Sequence, residues 1–173
     1  MPSLADRLAR GDDSAFAELY DACAAGLHRY AAARLRSREA ASDVVQTVFM
    51  RAVKSRRRFR RVESPAAYLF QIARNETARA AGKRNRREQS ITDHDQASVA
   101  APGVAPEDAE ALLAALARLD ADDREIIELK LHAGLTFAEI AAVADRPPGT
   151  VATRYRRALE SLRGWLEKEF STD

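Results

Sequence analysis

Residues 89–107 constrain the fold of this chain more than any other stretch. They carry no helical period, two prolines, one glycine and mostly small or polar side chains. That is linker composition. It divides the 173-residue chain into an N-terminal unit, 1–88, and a C-terminal unit, 108–173. Each is the size of a small domain and has to close a core of its own. No internal repeat relates them. With 36 alanines against seven glycines and six prolines, there is little punctuation for an all-β fold. The expected class is all-α: an N-terminal helical bundle and a four-helix C-terminal domain with a helix-turn-helix, joined by a flexible linker.

Apolar spacing places the helices. In the N-terminal unit, Asp12 or Asp13 can cap a helix bearing Phe16, Leu19, Tyr20, Cys23, Leu27 and Tyr30. A second is expected from about Arg38 to Ser55, with Ala41, Val44, Val45, Val48, Phe49 and Ala52 on one side. A third starts at Ser64-Pro65, a serine cap followed by proline at the first helical position. Three helices suffice for a small bundle core. The C-terminal unit predicts helices at about 107–118, 121–132, 136–144 and 148–168. Thr136 and Glu139 form a capping box. The break at Ala144–Pro148 between a short and a longer helix is a helix-turn-helix candidate. In the longer helix, Val151, Tyr155, Ala158 and Leu162 repeat inward, while Thr153, Arg156, Arg157 and Glu160 fall on another face.

Nothing in the chain asks for an enzyme. His28, His94 and His132 are dispersed, and none stands at ligand spacing from Cys23, so neither a metal nor a cofactor is expected. Cys23 lies on an apolar stripe and reads as a small buried hydrophobe. No glycine-rich phosphate loop or nucleophile elbow is present. The pairs Asp12/Asp13 and Asp122/Asp123 sit at helix starts, where the helix dipole accounts for them. No apolar run approaches the roughly 18 residues of a membrane span, and the first ten residues, with Asp6, Arg7 and Arg10, do not resemble a secretory signal. A single cysteine makes a reducing, cytoplasmic compartment the expectation.

Charge is unevenly placed. The net formal charge is only +2, yet residues 51–88 hold 13 basic and 3 acidic side chains, and residues 89–128 hold 2 and 10. Segregation of this kind favours a polyanionic partner. The basic centre, Lys54 and Arg56–Arg61 with Arg74, Arg79 and the 83–87 cluster, is interleaved with Phe59, Tyr68 and Phe70. A basic run is most simply a solvated face. Arginines beside exposed aromatics instead suit single-stranded or melted DNA, phosphates on the cations and bases on the rings. Spacing alone does not decide between them. In the helix-turn-helix, Thr153, Arg156 and Arg157 suit major-groove edges and phosphates. Thr150 and the amides beside Gly149 suit a phosphate oxygen.

Three motifs in order then carry a resemblance. Asp43-Val44-Val45-Gln46-Thr47-Val48-Phe49-Met50-Arg51-Ala52 is similar to the polymerase-docking helix of bacterial extracytoplasmic-function sigma factors, group 4 of the sigma-70 family. Tyr68-Leu69-Phe70-Gln71-Ile72-Ala73-Arg74-Asn75 resembles their minus-ten segment. Leu135–Ala141 with Pro148–Val151 and Arg154–Ala158 resembles their minus-thirty-five helix-turn-helix. The resemblance covers nearly all of the chain except 89–107.

It implies a factor that binds core RNA polymerase and promoter DNA, with an anti-sigma partner and no membrane insertion. It implies polymerase-binding residues Asp43, Gln46, Val45 and Phe49, the first two facing polymerase and the last two on the packing side. Melted minus-ten DNA would meet Phe59, Arg60, Tyr68, Arg74, Asn75 and Arg79. The minus-thirty-five duplex would meet Thr150, Thr153, Arg154, Arg156 and Arg157. Some positions depart from the pattern. Ser42 and Thr47 stand where acidic residues are common, Tyr68 where tryptophan is frequent and Ala152 where a basic residue is frequent. The Arg56–Arg61 stretch lacks the usual glycine. A helix-turn-helix regulator acting without polymerase is the rival class; it gives no reason for the docking helix.

Overall fold

The computed structural model describes residues 1–88 and 105–171. They pack as two separate units, one within Met1–Ser98 and one within Val99–Asp173. Among the described residues every regular element is helical. Most of the predicted linker, 89–104, lies outside them; its last two residues, Pro106 and Glu107, already belong to a helix.

The N-terminal unit holds α1 (Leu4–Arg10), α2 (Asp13–Leu35), α3 (Arg38–Lys54), a 3₁₀ turn (Arg56–Arg61) and α4 (Pro65–Glu88). Helices α2, α3 and α4 pack on one another, as the spacing predicts. Helix α1 and the 3₁₀ turn, which it did not predict, pack together beside them. Helix α1 is too short to show a period, but its start is chemical: the Ser3 hydroxyl accepts from the Asp6 amide at 3.1 Å and Asp6 accepts from the Ser3 amide at 3.2 Å. It ends at Gly11, whose φ of +84° is the left-handed conformation glycine tolerates. A Cβ there would also stand 3.2 Å from Arg56 Nε, so glycine fits the site on two counts. Asp12 caps α2 through the amides of Ser14 and Ala15. The Ser14 hydroxyl and then Arg7 hold its carboxyl well below the usual carboxylate range. Leu8, Leu27, Tyr30, Val48, Leu69 and Phe70 fill the core, with the Tyr30 and Phe70 rings edge to face at 5.9 Å.

The C-terminal unit holds α5 (Pro106–Arg118), α6 (Ala121–Ala133), α7 (Phe137–Ala144) and α8 (Pro148–Phe170), close to the predicted bounds. Ala115, Leu119, Ile127, Ala158 and Leu162 make one buried cluster, with Leu116, Tyr155, Trp165 and Leu166 packed against it. The Thr136–Glu139 capping box starts α7. Asp145, with φ +55°, turns the chain towards α8.

One arginine closes the end of α5. Arg124 donates to the carbonyls of Leu116 at 3.0 Å, Ala117 at 2.9 Å and Leu119 at 3.1 Å. Those of Ala117 and Leu119 are carbonyls that a helix end leaves without partners, and that of Leu116 also accepts from the Leu119 amide at 3.2 Å. Removing a charged donor from a part-buried acceptor costs about 1.5–3 kcal/mol. Arg124→Ala is therefore expected to lower the stability of this unit by about that amount, read as lost hydrogen-exchange protection in α5 and α6. Unchanged protection would contradict the capping role.

Candidate nucleic-acid interface

The 3₁₀ turn exposes Arg56, Arg57, Arg58, Arg60 and Arg61 and buries Phe59 completely. Phe59 meets Phe16 edge-on at 6.0 Å and Tyr68 at 5.4 Å, near perpendicular. Phe70 is buried as well. Both rings correct the sequence-based expectation: a base cannot stack on faces already covered by protein. Phe59 instead pins down a turn whose other five side chains are cations. Five guanidiniums on one short turn create a concentrated positive field without any ring being exposed.

Tyr68 is half-buried and fixed at its polar end. Its hydroxyl lies 2.9 Å from Ser55 Oγ. The Ser55 proton goes to the Arg51 carbonyl at 2.7 Å, and a carbonyl only accepts, so Tyr68 is the donor. Tyr68, Asn75 and Arg79, spaced seven and four residues apart on α4, share one stripe of the helix. Asn75 and Arg79 are exposed. Arg74 falls off that stripe and is half-buried.

Spacing did not point to Glu76, which is 12% exposed; its Oε1 lies 3.2 Å from Arg51 Nη1 and 3.5 Å from Arg79 Nη1. It ties α3 to the exposed stripe of α4. In the 83–87 cluster, Arg84 donates to the Leu35 carbonyl. That side chain closes the end of α2, so not every cation of the basic centre faces outward.

On the same unit, α2 and α3 enclose an open apolar groove of about 760 Å³ lined by Tyr20, Val45, Gln46, Phe49, Met50 and Val53 among others. Tyr20 and Phe49 pack with ring centroids 4.9 Å apart. Tyr20, Met50 and Val53 leave about half their surface open, at 51%, 52% and 44%. Val45 is buried at the floor, Phe49 is partly buried, and Asp43 and Gln46 are exposed. This places Asp43, Gln46, Val45 and Phe49 along one helix.

In the C-terminal unit, α7 and α8 form a helix-turn-helix. Val151 is fully buried, and Tyr155 packs on Phe137 at 5.2 Å. Thr150, Thr153, Arg156 and Arg157 are exposed on the other side of α8. The Thr153 hydroxyl donates to the Gly149 carbonyl at 3.0 Å. No side chain caps the start of α8.

Arg154 departs from this set. Its Nη1 lies 3.3 Å from Asp122 Oδ2, 3.3 Å from Asp123 Oδ1 and 3.8 Å from Asp120 Oδ1. It is drawn to the start of α6 rather than to the exposed face that carries Arg156 and Arg157. The Asp123 amide, with Arg154 adding a smaller effect, holds the Asp120 carboxyl below its ordinary value. Burial pushes Asp123 up. Arg146, in the turn, also reaches Asp122 Oδ2 at 2.5 Å.

Among the described residues, no cluster of three or more His, Cys, Asp or Glu is arranged to hold a metal, and no helix is long and apolar enough to cross a membrane.

An all-helical chain of two units, the second carrying a helix-turn-helix, is the general class. Comparison with known proteins narrows it. Residues 19–87 match Sigma-70 region 2 and residues 109–162 match Sigma-70, region 4. The chain is 30% identical over 172 residues to the RNA polymerase sigma factor CarQ of Myxococcus xanthus, covering 95% of this chain and 98% of that protein. It is 31% identical over 157 residues to the ECF RNA polymerase sigma factor SigL of Mycobacterium tuberculosis, covering 87% and 88%. Among solved structures it resembles the sigma factor RpoE in complex with the anti-sigma factor NepR from Bartonella quintana. That match has a TM-score of 0.67 and 26% identity, covering 91% of this chain and 98% of that one. The fold is also similar to CnrH, with a TM-score of 0.68 at 24% identity, covering 95% and 96%.

The chain belongs to the extracytoplasmic-function sigma factors of the sigma-70 family. The family binds RNA polymerase and directs promoter-specific initiation, as non-catalytic factors.

Proposed function

We propose that this sigma factor divides initiation between its two units. Residues 1–88 dock on core polymerase through the α2–α3 groove, with Asp43 and Gln46 at its edge. They hold melted minus-ten DNA on the arginine turn and on the Tyr68, Asn75 and Arg79 stripe. Residues 108–173 anchor the minus-thirty-five duplex through Thr150, Thr153, Arg156 and Arg157, and the uncapped amides of α8 receive a phosphate. Residues 89–107 connect the two. Work of this kind belongs in the cytoplasm, with the polymerase.

The observation that carries this reading is the apolar groove beside the arginine turn in one unit. A helix-turn-helix regulator acting alone has use for neither. The similar RpoE is in complex with an anti-sigma factor, NepR, which supports an anti-sigma partner for this chain too; its exposed apolar groove is the surface we assign to that partner.

The test is reconstitution with core polymerase on a cognate promoter. Arg156→Ala is expected to weaken minus-thirty-five binding about 5- to 150-fold, the range for one base-edge contact. Asn75→Ala is expected to spare that binding and impair strand opening, read by permanganate reactivity of unpaired thymines. Wild-type transcription from both variants would sink the residue assignments.

A further inference from the structure

Two of the cations nearest the helix-turn-helix are held by carboxylates of a different helix. Arg146 sits in the turn, two residues before the start of α8, the end at which a recognition helix meets its duplex. It is half exposed, yet its Nη2 lies 2.5 Å from Asp122 Oδ2. The same oxygen takes Arg154 Nη1 from the second turn of α8, at 3.3 Å. Among the described residues, Asp122 is therefore the one carboxylate that bridges both the turn and α8 to α6.

The arrangement is unequal. Arg154 keeps Asp123 at 3.3 Å and Asp120 at 3.8 Å, whereas Arg146 pairs with Asp122 alone among the described residues. Asp122 itself is fixed by position. It lies in the first turn of α6, where the helix dipole favours an anion, and Asp120 caps the same turn through the Asp123 amide at 2.8 Å.

We infer that Asp122 is a restraint on sequence-independent DNA binding: it occupies Arg146 in the place a backbone phosphate would take. The inference rests on the proposed docking of α8 on duplex DNA. Its consequence fits a factor with two attachment points. A C-terminal unit that binds loosely by itself gains its promoter affinity from being tethered through the N-terminal unit, which raises its effective concentration at the upstream element. With Arg146 free, the unit would be drawn to any duplex by phosphate contact alone.

The test uses the full chain and a random-sequence duplex, with fluorescence anisotropy over a salt titration. One added phosphate contact steepens the log–log salt dependence by about 0.9, which amounts to about 8-fold tighter binding at about 0.1 M salt. Asp122→Asn is expected to show both. Asp145→Asn removes the same charge from the residue next to Arg146 without touching an arginine pair, and asparagine tolerates the left-handed backbone there. It is expected to keep the wild-type slope.

Adding Arg146→Gln to Asp122→Asn should return affinity and slope to the wild-type values. A merely structural Asp122 would not show that reversal. Arg146→Gln alone alters an exposed turn residue, so the fold is not at issue, and it should leave random-duplex affinity unchanged because Arg146 is already occupied. The inference is overturned if Asp122→Asn binds no tighter than Asp145→Asn, if the double variant keeps the gain, or if Arg146→Gln alone loses affinity. The docking reading is checked separately in the same assay. If Arg156→Ala combined with Arg157→Ala keeps the wild-type salt slope, the duplex does not dock on α8.

Discussion

Phe59→Ala is expected to cost the N-terminal unit about 3–5 kcal/mol, the range for truncating a buried phenylalanine, although five arginines surround it. The ring is fully buried between Phe16 and Tyr68, so its removal leaves a cavity and takes away both edge-to-face contacts. A two-unit chain does not unfold as one transition, so the readout is hydrogen-exchange protection of α2 and α4. Strand opening should fall in parallel, with every arginine still present, because the turn that aims them has lost its anchor. Arg57→Ala and Arg60→Ala supply the contrast. Both residues are exposed, so stability should move by no more than about 0.5 kcal/mol, while opening falls and its salt dependence lessens. If Phe59→Ala cost less than about 1 kcal/mol, the ring would not be the anchor of the turn.

That contrast also marks which parts of the structure the sequence made legible. Elements started by local chemistry were readable: Ser64-Pro65 for α4, the Thr136–Glu139 box for α7 and Pro148 for α8. The side-chain caps of α4 and α7 are made within four residues, and α8 starts on a proline at its first position, so no knowledge of the rest of the fold is needed. Helix α1 was open to the same reading through Ser3 and Asp6, but seven residues are too few for an apolar period to show.

The burial of Phe59 was not readable. A phenylalanine between arginines looks exposed until α1 and α2 are packed against the turn. Arg154 is an intermediate case. At about 100° per residue it falls on the flank of α8, between the inward stripe of Val151 and Tyr155 and the outward face of Thr153 and Arg156. Periodicity marked it as different from Arg156 and Arg157, and motif resemblance grouped it with them. Its three carboxylates lie about thirty residues earlier, beyond any local pattern. Arg124 and Glu76 escaped because the first reaches back across the turn between α5 and α6 and the second finds Arg51 on a different helix, pairings that no apolar period marks.

The groove between α2 and α3 yields the second large effect, and here the structure separates binding from folding. Met50 is 52% exposed and lines the groove beside Phe49 and Val53. In the free chain, Met50→Glu keeps its charge in water and should change stability by no more than about 0.5 kcal/mol. Once core polymerase covers the groove, the same carboxylate has to leave water for an apolar contact. Burying a polar group without a partner costs about 1–3 kcal/mol in proteins, and a charge costs more. Affinity for core should therefore fall by at least about 5- to 150-fold, measured by competition against a labelled sigma factor. Duplex binding by the C-terminal unit should be untouched, because Met50 lies in the other unit. The neighbouring Met50→Leu keeps the surface apolar and should retain most of the affinity. If Met50→Glu assembled with core like wild type, the docking surface would lie elsewhere on the unit, and the exposure of Tyr20, Met50 and Val53 would need another occupant.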